Sequence, residues 1–279
     1  MFEEPFSLLQ LLTSALVLLI SASYIFIITS CHRYLPLENT PTNILFVTAH
    51  PDDETMFFAP TITSLAKQGH RLFLLCVSNG GFYGQGQTRV REIKNAVEYL
   101  GINQSDLTVL DYDSFKDGHA WDHLELREII LRHVKILRAD VVITFDEAGV
   151  SGHTNHISIF EALQELYTRS ELPTNTQVFC LDTVNVLRKY SWAWDAPLSL
   201  LRSPYRFFAT PRTFFAALAA MRQHKSQLLW FRYLYVAFSR YMVINTYRRI
   251  SPITRLPKPG RSRLHREESK TKGSRDLSF

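Results

Sequence analysis

The sequence predicts an α/β protein: a parallel β-sheet with helices on both faces, preceded by one N-terminal transmembrane helix. Three observations carry this. Short apolar runs alternate with longer segments of helical periodicity from residue 43 onward, glycines stand where several helical segments should stop, and residues 5–31 hold no charged side chain. Strands separated by helices of such length need crossover connections, which build parallel sheets covered on both sides.

In order along the chain, residues 43–48 (NILFVT) read as a buried strand and 55–68 as a helix closed by Gly69. Residues 70–78 (HRLFLLCVS) form a second strand, followed by the glycine-rich loop NGGFYGQGQ and a helix over 88–100 that stops at Gly101. Residues 107–111 are strand-like, 122–137 are strongly helical, 140–145 (DVVITF) are a strand, about 155–168 a helix and 177–184 the next strand. In open sheets of this kind ligands gather beyond the C-terminal ends of the strands. That rule marks the residues after Thr48, Ser78 and Phe145.

The uncharged N-terminal stretch is long enough, at about 1.5 Å per residue, to cross a hydrocarbon core of about 30 Å. A cleaved signal peptide is the competing reading, but it calls for a basic flank where Glu3 and Glu4 stand. Arg33 is the basic side chain nearest the stretch, which places the C-terminal body on the cytosolic side. The expected organisation is an anchor over 1–33, a linker over 34–42, a folded body over 43–250 and a basic, disordered tail over 251–279. That tail holds eight Lys/Arg against Glu267, Glu268 and Asp276 and so carries the whole net charge of +5. The body sums to zero, which gives no reason to read it as a nucleic-acid binder. Three widely spaced cysteines, Cys31, Cys76 and Cys180, make neither a disulfide scaffold nor a zinc finger.

The chemistry concentrates at two strand ends. His50-Pro51-Asp52-Asp53-Glu54 follows the first strand, and the loop after 140–145 ends in GHTNH, with His153 and His156. Two histidines three apart occur by chance at many helix starts. Four ionisable side chains crowded beside a buried strand are costly without a purpose. If the two loops share one sheet edge, they supply two imidazoles and a carboxylate to one divalent ion, zinc first, and leave a coordination position open, as catalytic zinc requires. An aspartate next to a ligating aspartate is free to take a proton from water.

AHPDDE, GQGQTRVREIKNAVEYLGI and FDEAGVSGHTNH together resemble the zinc-dependent N-deacetylases of the PIG-L/LmbE family, over about residues 43–250. The block MRQHKSQLLWFRYLYVAFSRYMVIN resembles the eukaryotic membrane branch of that family. The resemblance implies a Rossmann-like fold and removal of the acetyl group from N-acetylglucosaminyl-phosphatidylinositol, the second step of GPI-anchor synthesis, at the cytosolic face of the endoplasmic reticulum. It also implies His50, Asp53 and His156 as metal ligands, Asp52 as general base, and His153 as the group that stabilises the oxyanion or protonates the leaving amine. Many bacterial relatives have His-Pro-Asp-His where this chain has Thr154 and Asn155, so Asn155 offers no carboxylate to hold His153 protonated. The alternatives are deacetylation of another amino-sugar conjugate, or a non-catalytic membrane scaffold of the same fold.

Arg89 reads in two ways, as a guanidinium on the substrate side or as the partner of Glu92 in a helix-face pair. The aromatic block at 228–247, interleaved with Arg232 and Arg240, is either a helix lying in the headgroup layer or a helix packed on the sheet.

Overall fold

The computed structural model describes residues 8–30, 35–37, 41–119 and 121–251. The expected tail beyond its first residue, and linker residues 34 and 38–40, lie outside the described residues. Helix α1 spans Leu8–Ser30. The body follows as β1 Asn43–Thr48, α2 Asp53–Lys67, β2 Arg71–Cys76, α3 Gly86–Leu100, β3 Leu107–Val109, α4 His123–Ile136, β4 Val141–Phe145, the single turn α5 Gly149–Gly152, α6 Thr154–Thr168 and β5 Gln177–Leu181. Beyond these come α7 Val186–Lys189, α8 Ala196–Arg202, β6 Tyr205–Phe208, α9 Pro211–Met221, α10 Trp230–Phe238 and β7 Ile244–Arg249.

The strands form one sheet in the order β3-β2-β1-β4-β5-β7-β6. Strands β1 to β5 pair in parallel, as expected. The expectation of a parallel sheet is corrected at one edge, where β7 runs antiparallel to both β5 and β6. Strand β1 shows why its sequence is almost continuously apolar. Ile44 and Phe46 pack with Phe58 and Ile62 of α2 on one face, while Leu45 and Val47 pack with Leu126, Ile130, Ile159 and Leu163 of α4 and α6 on the other. Cys76 and Cys180 are buried free thiols in strands of the sheet.

The C-terminal third is tied to the first helix through a proline. Pro60 lies inside α2 and has no N–H to give the carbonyl of Met56 one turn earlier. The Tyr235 hydroxyl of α10 donates to that carbonyl instead, at 3.0 Å. One residue on, the Asn245 amide bridges the same break: its Nδ2 donates to Phe57 O at 2.8 Å and its Oδ1 accepts from Thr61 N at 3.3 Å. The helix interruption thus seats α10 beside the start of α2. The continuous helix expected at 228–247 is corrected accordingly. Trp230–Phe238 is α-helical, Arg240–Met242 forms a 3-10 turn, and Tyr241 and Tyr247 are core residues.

Helix α1 is 23 residues long, uncharged, and about 34 Å in length at 1.5 Å per residue. Side chains are described for only part of it, and among the described residues no helix is long and apolar enough to cross a membrane.

Candidate active site

The loop after β1 is shaped by its own carboxylates. Asp53 Oδ2 accepts from Ala49 N at 3.0 Å and His50 N at 2.9 Å, which turns the Asp53 side chain back under the loop. Asp52 pays for this turn with φ 120°, ψ −22°, a conformation rarely taken by a residue with a β-carbon. Such strain costs on the order of 1–3 kcal/mol and collects at functional sites. Arg89 of α3 holds the loop from outside: its Nη2 donates to Pro51 O at 2.5 Å and its Nη1 to Gly80 O at 3.0 Å. Gly80 is required there, because its φ is +68° and a β-carbon would fall 2.4 Å from Arg89 Nη1.

The loop after β4 is built in parallel fashion. Asp146 Oδ1 accepts from Ala148 N and Gly149 N, both at 3.1 Å. Val150 takes φ 64°, costly for a β-branched residue, with its N–H donated to Thr183 Oγ1 at 2.8 Å. The chain then enters α6, whose first turn carries Asn155 and His156, with His153 just before it.

These two loops meet. His50, His153 and His156 each offer a ring nitrogen, and all three lie within 4.8 Å of one another. His156 Nδ1 lies 3.1 Å from Gly149 O, a pure acceptor, so that nitrogen carries the proton and Nε2 keeps its lone pair. That Nε2 is buried without a hydrogen-bond partner and lies 3.3 Å from Asp53 Oδ2. His50 Nε2 faces Asp117 Oδ1 at 3.3 Å, which leaves Nδ1 directed to Asp53 Oδ2 at 3.8 Å. Lone pairs of two imidazoles therefore converge on one carboxylate, with nothing between them to donate. Such a cage accepts a cation. In addition, each ring is oriented through its other nitrogen by a carboxylate or carbonyl, as metal-ligating histidines are.

The same groups are coupled through their charges. Burial drives the Asp53 carboxyl up, but the His156 and His50 imidazoles outweigh it and hold the group well below the usual carboxylate range. Burial lowers His50, and Asp117 with Asp53 more than reverses this. Burial, aided by the neighbouring His156 and His50, pushes His153 down to about 4, so its imidazole is neutral near pH 7. Burial raises Asp52 above its ordinary range against the opposing pull of Arg232 and Arg89.

All six residues expected from the sequence, His50, Asp52, Asp53, Arg89, His153 and His156, line one cavity of about 400 Å³. A larger one of about 570 Å³ lies at the other end of the strands, among residues such as Thr42, Asp140 and Asn175, with no histidine in its wall. Of the two readings of Arg89, the helix-face pair is not formed: Glu92 accepts instead from Ser226 N and Oγ. Three further wall residues escape sequence reasoning. Asp117 orients His50, and Arg232 Nη2 donates to Asp52 Oδ2 at 3.0 Å. Lys189 also reaches the wall. Behind it, His224 Nε2 lies 2.7 Å from Glu54 Oε1, both fully buried. Asp117 stands in a loop without periodicity, and the other three lie far along the chain, so no local pattern announces them.

Fold and site define a mostly parallel α/β protein whose strand-end histidines could hold a metal ion beside a buried carboxylate. The sequence comparison makes the class specific. Residues 45–167 match the PIG-L family, described as GlcNAc-PI de-N-acetylase. The chain is 46% identical over 205 residues to the N-acetylglucosaminyl-phosphatidylinositol de-N-acetylase of Bos taurus, covering 72% of this chain and 81% of that protein. It is 37% identical over 235 residues to the probable enzyme of the same name from Dictyostelium discoideum, covering 73% and 91%. The chain belongs to the PIG-L family. Among solved structures, N,N'-diacetylchitobiose deacetylase from Pyrococcus horikoshii shares the fold, with a TM-score of 0.60 over 93% of this chain and 99% of that one at 16% identity.

Proposed function

We propose that this chain hydrolyses the N-acetyl group of N-acetylglucosaminyl-phosphatidylinositol, giving glucosaminyl-phosphatidylinositol and acetate. The observation that carries the chemistry is the convergence of His50, His156 and Asp53 on one point of the cavity floor, with Asp52 beside them. The substrate reading follows the name of the relative that is 46% identical.

His50, Asp53 and His156 would hold a divalent cation, and two imidazoles with one carboxylate suit zinc. When bound, the cation polarises the acetyl carbonyl and makes water easier to deprotonate. Asp52 takes the proton of the attacking water. Its raised pKa brings it closer to the operating pH than an ordinary aspartate, as a general base needs. Neutral His153 presents an N–H to the oxygen of the tetrahedral intermediate, and the proton held by Asp52 passes to the departing amine. One water is consumed, the C–N bond breaks, and acetate and a free amine remain.

The same reading puts the enzyme on a membrane, with α1 as its anchor and the body on the cytosolic face of the endoplasmic reticulum. In support, Leu8, Leu11, Leu12 and Leu16 of α1 are exposed and uncharged around. Of the residues lining the cavity, Tyr83 and Phe231 are also exposed, at 84% and 44%.

Acetate release from N-acetylglucosaminyl-phosphatidylinositol by the purified full chain tests the proposal. Release that stops on chelation and returns with zinc is the expected result. No release from this glycolipid, with release from another acetylated amino-sugar conjugate, would sink the substrate assignment.

A further inference from the structure

Three cations line the cavity, and they differ in what they face: Arg89 is held by Pro51 O, Gly80 O and, at 3.5 Å, Asp52 Oδ1. Arg232 is matched by Asp52. Lys189 is half-buried and makes no ion pair among the described residues; its Nζ donates to Ser151 Oγ at 2.7 Å and lies 5.7 and 5.9 Å from the Tyr190 and Tyr235 rings. A partly desolvated ammonium beside a second cation and without a counter-ion is an unfavourable arrangement that an anionic ligand would relieve.

The position is also rigidly built. Lys189 ends the short helix α7, and its neighbour Arg188 makes a bidentate pair with Asp195 at 2.7 and 2.9 Å. Asp195 is buried and braced in turn by Arg240 Nε at 3.1 Å, so the turn that presents Lys189 is tied to the segment leading into β7. The carboxylates at the reacting end, Asp52, Asp53 and Asp117, are already engaged by Arg232, His156 and His50.

Resting on the reading above, we propose that Lys189 receives the phosphodiester of the substrate. It would thereby let the site prefer an amino sugar joined through inositol to phosphate over the same amino sugar–inositol without phosphate. A phosphodiester monoanion is the shared chemistry, whether or not acyl chains follow it. An ammonium serves it as a point charge, so arginine should largely replace lysine here and an uncharged side chain should not.

The test uses the zinc-loaded full chain and its Lys189→Met and Lys189→Arg forms on three substrates: N-acetylglucosaminyl-inositol, its acyl-free glycerophosphodiester in solution, and the full glycolipid. For Lys189→Met, KM for both phosphodiesters should rise about tenfold to a hundredfold with kcat nearly unchanged, the range for a lost charge-assisted hydrogen bond. The phosphate-free compound should be turned over as by the unaltered chain, and Lys189→Arg should keep most of the affinity. Equal loss on all substrates, no loss on any, or an unaltered chain without preference for phosphate would overturn the assignment. Loss confined to the membrane-bound glycolipid would overturn it too, in favour of an anionic lipid surface. If the unaltered chain releases no acetate from the glycolipid, the proposed function fails rather than this assignment.

Discussion

Asp53 and Glu54 are adjacent in the sequence, both buried, and each faces a buried histidine, yet the two pairs are opposite in kind. Glu54 and His224 are closed at 2.7 Å, and Glu54 is further bonded to Thr55 Oγ1 and Asp52 N. Their nitrogen and oxygen satisfy each other, so the pair is a tie between α2 and the segment after α9. Asp53 and His156 stand at 3.3 Å with the His156 proton committed to Gly149 on the far side of the ring. The comparison teaches that a buried histidine–carboxylate pair is a strut where the ring's proton lies between the two groups and a site where that proton is committed elsewhere.

The sharpest way to break this contrast is to remove one histidine from each pair. His156→Ala should abolish acetate release while leaving a folded chain, checked by activity beside circular dichroism. Asp52→Asn, which keeps the cage but removes the base, should lower kcat by about 10²–10⁴ with metal content unchanged. His224→Gln strands Glu54 and should destabilise the fold by about 3–5 kcal/mol in denaturant unfolding, since removing one partner of a buried pair leaves an uncompensated charge. Asp117→Asn should weaken metal binding by about 10- to 100-fold, the usual cost of losing the group that orients a ligating histidine.

The strut also predicts a pH dependence. Burial lowers His224, but the adjoining Glu54 carboxylate prevails and holds it above its ordinary value. Burial raises Glu54, and His224 more than offsets this, holding it below. The histidine's contribution is therefore full below about pH 6.5 and lost as pH rises through its higher folded value, while the glutamate's is lost as acid is added through its lowered one. The unfolding free-energy gap between the unaltered chain and His224→Gln should narrow as pH rises above 7. A gap that does not change with pH would show that the pair is not ionised.

How much of this was legible depended on how local each signal was. His50, Asp52 and Asp53 stand out because polar groups abut an apolar strand, and His156 because it opens a helix after another such strand. Strand β1 and helix α4 follow from periodicity, with α4 also capped by Asp122, whose side chain accepts from Glu125 N at 2.8 Å. The antiparallel edge was hidden because 205–250 mixes aromatic and basic residues without a clean period of two. Pro60 was visible inside a helical pattern, but the side chains that complete it, Tyr235 and Asn245, come from a region brought near only by the tertiary fold. Arg232 on Asp52 is invisible for the same reason.

The Asp53 cage, and not the Glu54 pair, should hold the cation. Metal-stripped full chain, His156→Ala and His224→Gln should be titrated with zinc by calorimetry under conditions where all three are folded. One tight site is expected in the unaltered chain and in His224→Gln, and loss of that site in His156→Ala. Zinc bound as tightly by His156→Ala would contradict that expectation.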